Sequence, residues 1–419
     1  MSLHVDPIES MMPEEVSIRA TQLNPHQKYQ LYMSFKHPNG THYSWANFRA
    51  SALGEIDLKR DCPVQGTYFE TNPHGLFQSC YPDVDVREGA YVPATPPFPY
   101  EYTLLLKDSE SKVLDQVKLM KRFQHPHVTR TEIENDRVVG TLFLPPAARS
   151  QKLPTVIDII GGNGGMRENR GALLASSGFA VLSLAYLSFK SLPKSINEVN
   201  VEYFLKAIDW LSEQKFCGKI GIQGNSFGGS IVHAISIRAP KIKAVCSING
   251  AHCLDVFTQM LENGKPIPAG KVDMEFLTYH VDNGYLVLER AIRNMKIPQQ
   301  ADFDYSKMAK DVAFRIVASR DDRVYDSLYS SEYLEKRIKE QGLYVERDVV
   351  FGGHLMEPPH VPNCPNLYAK YASMILSYGG DQYVHGKSQS QVWPRTIAFF
   401  NRFLGEPKPP SDWRTEAKL

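Results

Sequence analysis

No stretch of the 419 residues approaches the run of about 18 apolar side chains that a bilayer crossing needs, so a membrane span is not expected. The opening residues, Met1 to Ser17, are acidic and lack an apolar h-region. They read neither as a secretory signal nor as an Arg-rich mitochondrial presequence. Charge of one sign is also missing, because 47 Lys and Arg nearly cancel 46 Asp and Glu. That balance argues against a dedicated nucleic-acid binder, whose affinity needs clustered phosphate neutralisation. A small polyanionic ligand needs only a local basic pocket and is not excluded. Cysteine is sparse: Cys62, Cys80, Cys217, Cys246, Cys253 and Cys364 occur without CxxC or CxxH spacing. They read as reduced thiols of an intracellular protein rather than a disulfide framework. Internal repeats and low-complexity segments are absent. What remains is an ordinary globular composition, 42% apolar and 22% charged, long enough for two or three domains.

The chain changes grammar near its first third. Residues 14 to about 144 read as short strands divided by turns, with no convincing amphipathic helix. Val16 to Ala20, Tyr29 to Phe35 and Glu55 to Leu58 alternate apolar and polar residues, and further strands fit Tyr102–Leu106, Val113–Met120 and Val138–Leu144. Pro38-Asn39-Gly40, Pro73-His74-Gly75 and Pro96-Pro97 punctuate them. This spacing predicts an antiparallel sandwich of immunoglobulin type over 1–145, with Pro145-Pro146 as the boundary. From Leu153 strands and helices alternate, which predicts a mostly parallel sheet flanked by helices over 146–419. Expected strands are 154–160, 180–185, 219–223, 244–248, 313–318 and 345–351. Expected helices are 170–177, one through Val201, Phe204, Ile208 and Leu211, one after residue 228, and a closing one through Trp393, Ile397, Phe400 and Leu404. Residues 254–305 break the pattern and read as a cap beside the site.

One pattern carries chemistry. Gly224-Asn225-Ser226-Phe227-Gly228 is a Gly-x-Ser-x-Gly nucleophile elbow, where a strand turns sharply into a helix and leaves the serine at the apex. By composition it would arise by chance on the order of 0.1 times in such a chain, so its place after a β-run is what gives it weight. A serine hydroxyl needs a base, and the base needs an orienting carboxylate. In α/β-hydrolases the acid and then the histidine follow the serine, each on a loop after a strand. Asp321, after Phe314-Arg-Ile-Val, fits a small-x-x-Asp-x-x-Val spacing through Ala318 and Val324, with its neighbour Asp322 as the alternative. His354, in Gly352-Gly353-His354 after Arg347-Asp-Val-Val-Phe, is the expected base. The oxyanion needs two backbone donors: Phe227 follows the nucleophile, and Gly162, with Asn163 beside it, lies in Gly161-Gly-Asn-Gly-Gly165. That loop lacks the ending of a P-loop and does not match Gly-x-Gly-x-x-Gly, so phosphate binding is disfavoured. His125-Pro-His127 has no third ligand at suitable spacing and is read as structural.

At these residues the chain resembles the family of acyl-CoA thioesterases and bile acid-CoA:amino acid N-acyltransferases over nearly its whole length. The likeness runs through Thr155-Val-Ile-Asp-Ile-Ile-Gly-Gly-Asn-Gly-Gly, Gly178-Phe-Ala-Val-Leu-Ser-Leu-Ala-Tyr, Ser247-Ile-Asn-Gly250 and Gly353-His-Leu-Met-Glu-Pro-Pro359. In the first half it runs through Gly54-Glu-Ile-Asp-Leu-Lys-Arg, Pro73-His-Gly-Leu-Phe and Arg137-Val-Val-Gly-Thr-Leu-Phe-Leu-Pro-Pro. The resemblance implies a triad of Ser226, Asp321 and His354 and hydrolysis of an acyl-CoA through an acyl-enzyme, with no metal or organic cofactor. Bile-acid transferases of the family look like cysteine enzymes at the elbow, so Ser226 favours the thioesterase branch. The elbow departs from the family where Phe227 stands in place of the usual Lys or Gln, which leaves acyl-chain preference open. Competing readings are acyl transfer to glycine or taurine, an ester or peptide hydrolase, and an inactivated binding protein. Ala417-Lys418-Leu419 is close to the peroxisomal Ser-Lys-Leu address, which implies a peroxisomal import receptor as partner, with a cytoplasmic location as the alternative.

Overall fold

Lys28–His37 alternates buried and outward residues, so Tyr29, Leu31, Met33 and Phe35 share one face. It turns through Pro38-Asn39 into Gly40–Arg49, in a register running from Lys28↔Arg49 to His37↔Gly40. This hairpin lies in a seven-stranded sheet with Glu9–Met11, Val113–Arg122, Tyr100–Lys107, Gln65–Gly66 and Tyr81–Pro82. A three-stranded sheet of Ser2–Asp6, Ser17–Thr21 and Ile56–Asp57 supplies Leu3, Ile18, Ala20 and Ile56 to the same apolar cluster. The computed structural model describes all residues except 256, 258 and 417–419, so Ala417-Lys418-Leu419 lies outside the described residues.

The strand expected at 138–144 exists, but it is not part of the sandwich. Thr129–Glu134 (β1) and Val139–Leu144 (β2) form an antiparallel pair that opens the second sheet. That sheet therefore begins before the boundary expected after residue 145. The burial pattern gives the reason: every residue of β2 but the last is buried, as befits a strand covered on both faces. The sheet continues with Leu153–Ile159 (β3), Ala180–Leu184 (β4), Cys217–Asn225 (β5), Ile242–Ile248 (β6), Ala313–Ser319 (β7) and Tyr344–Val350 (β8). Its order is β1-β2-β4-β3-β5-β6-β7-β8, with β2 running against the parallel strands. This is the α/β-hydrolase arrangement.

Adjacent residues of β3 divide the core between the two faces. Val156 packs in the cluster holding Ala172 and Leu173 of Asn169–Ser176 (α1). Ile157 joins Phe204 and Ile208 of Val201–Ser212 (α2), Ile231 of Phe227–Ser236 (α3), and Leu334 and Ile338 of Ser327–Glu340 (α4). The closing helix, Gln382–Leu404 (α5), brings Phe399 and Phe400 to the first face. It begins well before the expected Trp393 and passes through Pro394, while α4 had no expected counterpart. Among the described residues, 254–305 carry only short strands, 3-10 turns and the one short helix Glu289–Arg293. Thr278–Tyr279 and Leu286–Val287 join Asn366–Ala369 and Met374–Ser377 in a small sheet near the ends of the parallel strands. Among the described residues no helix is long and apolar enough to cross a membrane. Five of the six cysteines are buried, Cys62 is exposed, and none is paired.

Candidate active site

β5 ends at Asn225 and α3 begins at Phe227, so Ser226 alone makes the corner. It does so at φ +63° and ψ −131°, a conformation L-residues avoid. The flanking glycines are required by close backbone approach. A Cβ on Gly224 would lie 2.2 Å from the Gly228 carbonyl oxygen, and one on Gly228 would lie 2.5 Å from that of Ile160. The Ser226 amide donates to the Ile248 carbonyl at 2.9 Å, which ties the corner to β6.

The fold brings His354 to Ser226, and beside His354 it places Asp322 rather than Asp321. His354 Nε2 lies 2.6 Å from Ser226 Oγ, and its Nδ1 lies 2.9 and 2.8 Å from the two carboxylate oxygens of Asp322. Asp321, the expected acid, turns outward. Its side chain is 42% exposed, pairs with Arg323 at 2.7 Å and accepts the Gly380 amide at 2.8 Å. The spacing misled by one residue because Ser319-x-x-Asp322 repeats the small-x-x-Asp pattern of Ala318-x-x-Asp321. What selects Asp322 is satisfaction of a buried carboxylate. It accepts the Val324 and Tyr325 amides, each at 2.9 Å, and the Ser327 hydroxyl. The His354 and Asp322 side chains are fully buried, and the rings of Tyr325 and Tyr378 stand edge-on to the imidazole, centroids 5.1 Å away.

Two residues that sequence reasoning did not single out hold this loop. Asn249, at φ +48° just past β6, donates to Ser319 Oγ at 2.9 Å and to the His354 carbonyl at 2.8 Å. Its side-chain oxygen accepts the Ser319 amide at 2.8 Å, so one side chain joins the end of β7 to His354. An Asn before Gly at a strand end, where a left-handed residue is needed, was the available signal. On α5, His385 Nδ1 accepts the Gly353 amide at 2.9 Å. Burial pushes the His385 pKa down to about 4, against the opposing pull of the Leu355 carbonyl and the carboxylates of Glu357, Asp381 and Asp321. In the unfolded chain the same imidazole titrates near about 6.5. Between these values the unfolded chain binds the extra proton, so His385 contributes its full stability above pH 6.5 and loses it toward pH 4. The expected loss is about 3 kcal/mol from this group. Buried His233 and His252, shifted to about 3 and about 4, act in the same direction. A thermal unfolding midpoint that stays level from pH 7 to 4 would contradict this.

The glycine loop also reaches the serine. A Cβ on Gly161 would lie 3.1 Å from Ser226 Cβ, and one on Gly162 would lie 3.7 Å from Phe227 Cβ. Gly162 and Asn163 line a groove of about 520 Å³ with Ile196, Leu277, Leu286, Leu288 and Tyr371, and Lys194 and Lys370 also border it. By contrast, His125 and His127 sit far from this chemistry. His127 donates its amide to His125 Nδ1 at 3.1 Å, and the His125 ring stands against Trp413. Among the described residues no group of three or more His, Cys, Asp or Glu is placed to hold a metal.

Two family models match the chain. "Acyl-CoA thioester hydrolase/BAAT N-terminal region" covers residues 13–135, and "BAAT / Acyl-CoA thioester hydrolase C terminal" covers residues 199–406. Mouse bile acid-CoA:amino acid N-acyltransferase is 30% identical over 417 residues, 95% of this chain and 96% of that one. The chain belongs to the acyl-CoA thioester hydrolase and bile acid-CoA:amino acid N-acyltransferase family. Human acyl-coenzyme A thioesterase 1 is 29% identical over 94% of both chains. Mouse peroxisomal succinyl-coenzyme A thioesterase is 29% identical over 96% of this chain and 97% of that one. The relatives thus include both thioesterases and N-acyltransferases, with the match spanning sandwich and hydrolase sheet together.

Proposed function

We propose that the protein hydrolyses acyl-CoA thioesters through an acyl-enzyme on Ser226. The observation that carries this reading is the hydrogen-bonded chain from Ser226 Oγ through His354 to Asp322, placed on an elbow beside an apolar groove. In the first step His354 Nε2 takes the Ser226 proton while Oγ attacks the thioester carbonyl. Asp322 accepts the Nδ1 proton's hydrogen bond, which fixes the tautomer and stabilises the imidazolium. The amides of Phe227 and Gly162 stabilise the tetrahedral oxyanion. The C–S bond breaks and the His354 imidazolium gives its proton to the departing CoA sulfur, a good leaving group because a thiol's pKa is only about 8.5, which returns the imidazole to its neutral form. His354 then takes a proton from water, hydroxide attacks the ester, and Ser226 leaves with its proton restored. The apolar groove takes the acyl chain, with Lys194 and Lys370 placed for the CoA phosphates.

The test is thiol release and product analysis on a panel of acyl-CoAs, with and without glycine or taurine. Free CoA and free acid in equal amounts without any amine are expected. Amide accumulating at the expense of acid when the amine is present would replace hydrolysis by transfer as the main activity. No cleavage of any acyl-CoA would sink both.

A further inference from the structure

A second cavity opens on Ser226, and it is polar where the groove is apolar. It has space of about 40 Å³, room for about three waters or one short carboxylate-bearing group. Its lining includes Tyr91, Arg167, Arg170, Asn225 and Glu357. The polar groups there are supplied in an unusual balance. Asn225 is 3% exposed, and neither end of its amide has a protein partner. Arg170 gives Nε to Asp158 at 3.1 Å and Nη2 to the Ile159 carbonyl at 3.0 Å, leaving Nη1 buried without an acceptor. Arg167 lies flat on the Tyr91 ring, 3.4 Å from its centroid, and among the described residues no carboxylate pairs with it. Glu357 is already engaged, accepting from Asn169 at 2.9 Å. The groups left over in this cavity are thus the Arg170 Nη1 donor, both ends of the Asn225 amide and the Tyr91 hydroxyl, beside the Arg167 guanidinium, and its positive charges exceed its one carboxylate. Buried donors without acceptors are rare, and each one costs stability unless something occupies the space beside it.

We propose that this cavity is a subsite for a carboxylate carried by the small reacting partner, with Arg167 as the residue that reads it. The inference rests on the acyl-enzyme reading of Ser226. A planar carboxylate offers about four lone-pair sites and matches a guanidinium edge in pairs, which is the complement of the donors left over here. Because the cavity is small and touches the serine, the carboxylate must lie only about two carbons from the reacting centre, within the space quoted above. Two sources meet that condition. One is the far carboxylate of a short dicarboxylyl thioester, whose hydrolysis yields a diacid and CoA. The other is the carboxylate of an amino-acid nucleophile, whose amine attacks the acyl-enzyme, forms an amide and returns the proton to Ser226 through His354. In either case Arg167 sets specificity without touching the reacting atoms.

The experiment compares matched partners on the full chain. Succinyl-CoA is set against butyryl-CoA for hydrolysis, and glycine against methylamine for amide formation from one apolar acyl-CoA. Wild type is expected to favour the carboxylate-bearing member in at least one arm. Arg167→Met should lower that preference about 10–100-fold, the loss of a charge-assisted pair of hydrogen bonds, and Arg167→Lys should lower it less. Arg323→Met, at the surface beside Asp321, should leave the preference where it was. The arm that responds identifies the source. Equal rates for both members of both pairs in wild type would overturn the proposal, as would an unmoved preference in Arg167→Met. The wild-type comparison decides even if the variants do not fold. If wild type cleaves no acyl-CoA at all, it is the reading of Ser226 that fails.

Discussion

Asp322→Asn is expected to lower kcat about 10⁴-fold, while Asp321→Asn leaves it within about 3-fold of wild type. The asymmetry follows from what each carboxylate touches. An asparagine at 322 keeps one oxygen for the Val324 and Tyr325 amides, and its nitrogen replaces the oxygen that accepts from Ser327, whose hydroxyl can turn to accept instead. The same nitrogen then faces His354 Nδ1, where the native carboxylate accepts. A donor in that place forces the neutral imidazole into the tautomer with the proton on Nε2, the atom that must receive the Ser226 proton. The base is then present, well placed and in the wrong form. At 321 the amide oxygen can still accept from Gly380, and only the half-exposed pairing with Arg323 is lost. Such surface pairs contribute about 0–1 kcal/mol. Steady-state thiol release on one good acyl-CoA measures both variants, and the opposite ranking would return the acid to Asp321.

How much of this was legible in the sequence depended on whether a local pattern had one physical solution. The elbow did. Two glycines around a serine between a β-run and a helix admit little else, because a Cβ at Gly224 meets backbone at 2.2 Å. His354 was equally readable from its glycines and its place after β8. The choice between Asp321 and Asp322 was not, because both follow a small residue three positions back and only Val324 set them apart, in favour of Asp321. The choice between them is made by tertiary donors on the loop and by the burial of His354. The hydrolase strands β3 to β7 were visible as apolar, largely buried runs, and β8, at the sheet edge and mostly half-buried, as an apolar stretch before Gly352. β2 was seen as a strand but assigned to the wrong sheet, since a strand's partners leave less trace in its own residues than its burial does. Gly40–Arg49 alternates as well as its partner does, yet polar and small residues at His42, Ser44 and Ala46 fill its buried positions, which dulls the period. Asn249 and His385 act through contacts with distant loops, and local reading does not reach those. Arg167 falls in the same class. It follows a glycine loop that reads as an oxyanion element, and its meaning comes from the orphaned amide of Asn225, far along the chain.

Ser226 links strain to function most directly, and substitutions there should separate the two. Ser226→Ala removes the nucleophile and is expected to lower kcat about 10⁴–10⁶-fold, leaving only what the oxyanion donors and substrate binding supply. It keeps a Cβ at φ +63°, so it keeps the backbone strain. Ser226→Gly removes nucleophile and strain together, since glycine visits positive φ at little cost. Relief of a strained non-glycine residue is worth about 1–3 kcal/mol, and the greater freedom of unfolded glycine takes back about 0.4–1 kcal/mol. The glycine variant should therefore be as inactive as the alanine variant but more stable by about 1 kcal/mol. Both lose the same hydrogen bond to His354, so the comparison isolates the backbone. Paired thermal or urea unfolding with a single-turnover assay tests it. Equal stability of the two variants would mean that the elbow is relaxed in this chain, and appreciable turnover by either would mean that Ser226 does not carry the acyl group. The predicted outcome, one variant dead and strained and the other dead and relieved, would mean that the fold accepts an unfavourable backbone in order to hold Oγ 2.6 Å from its base.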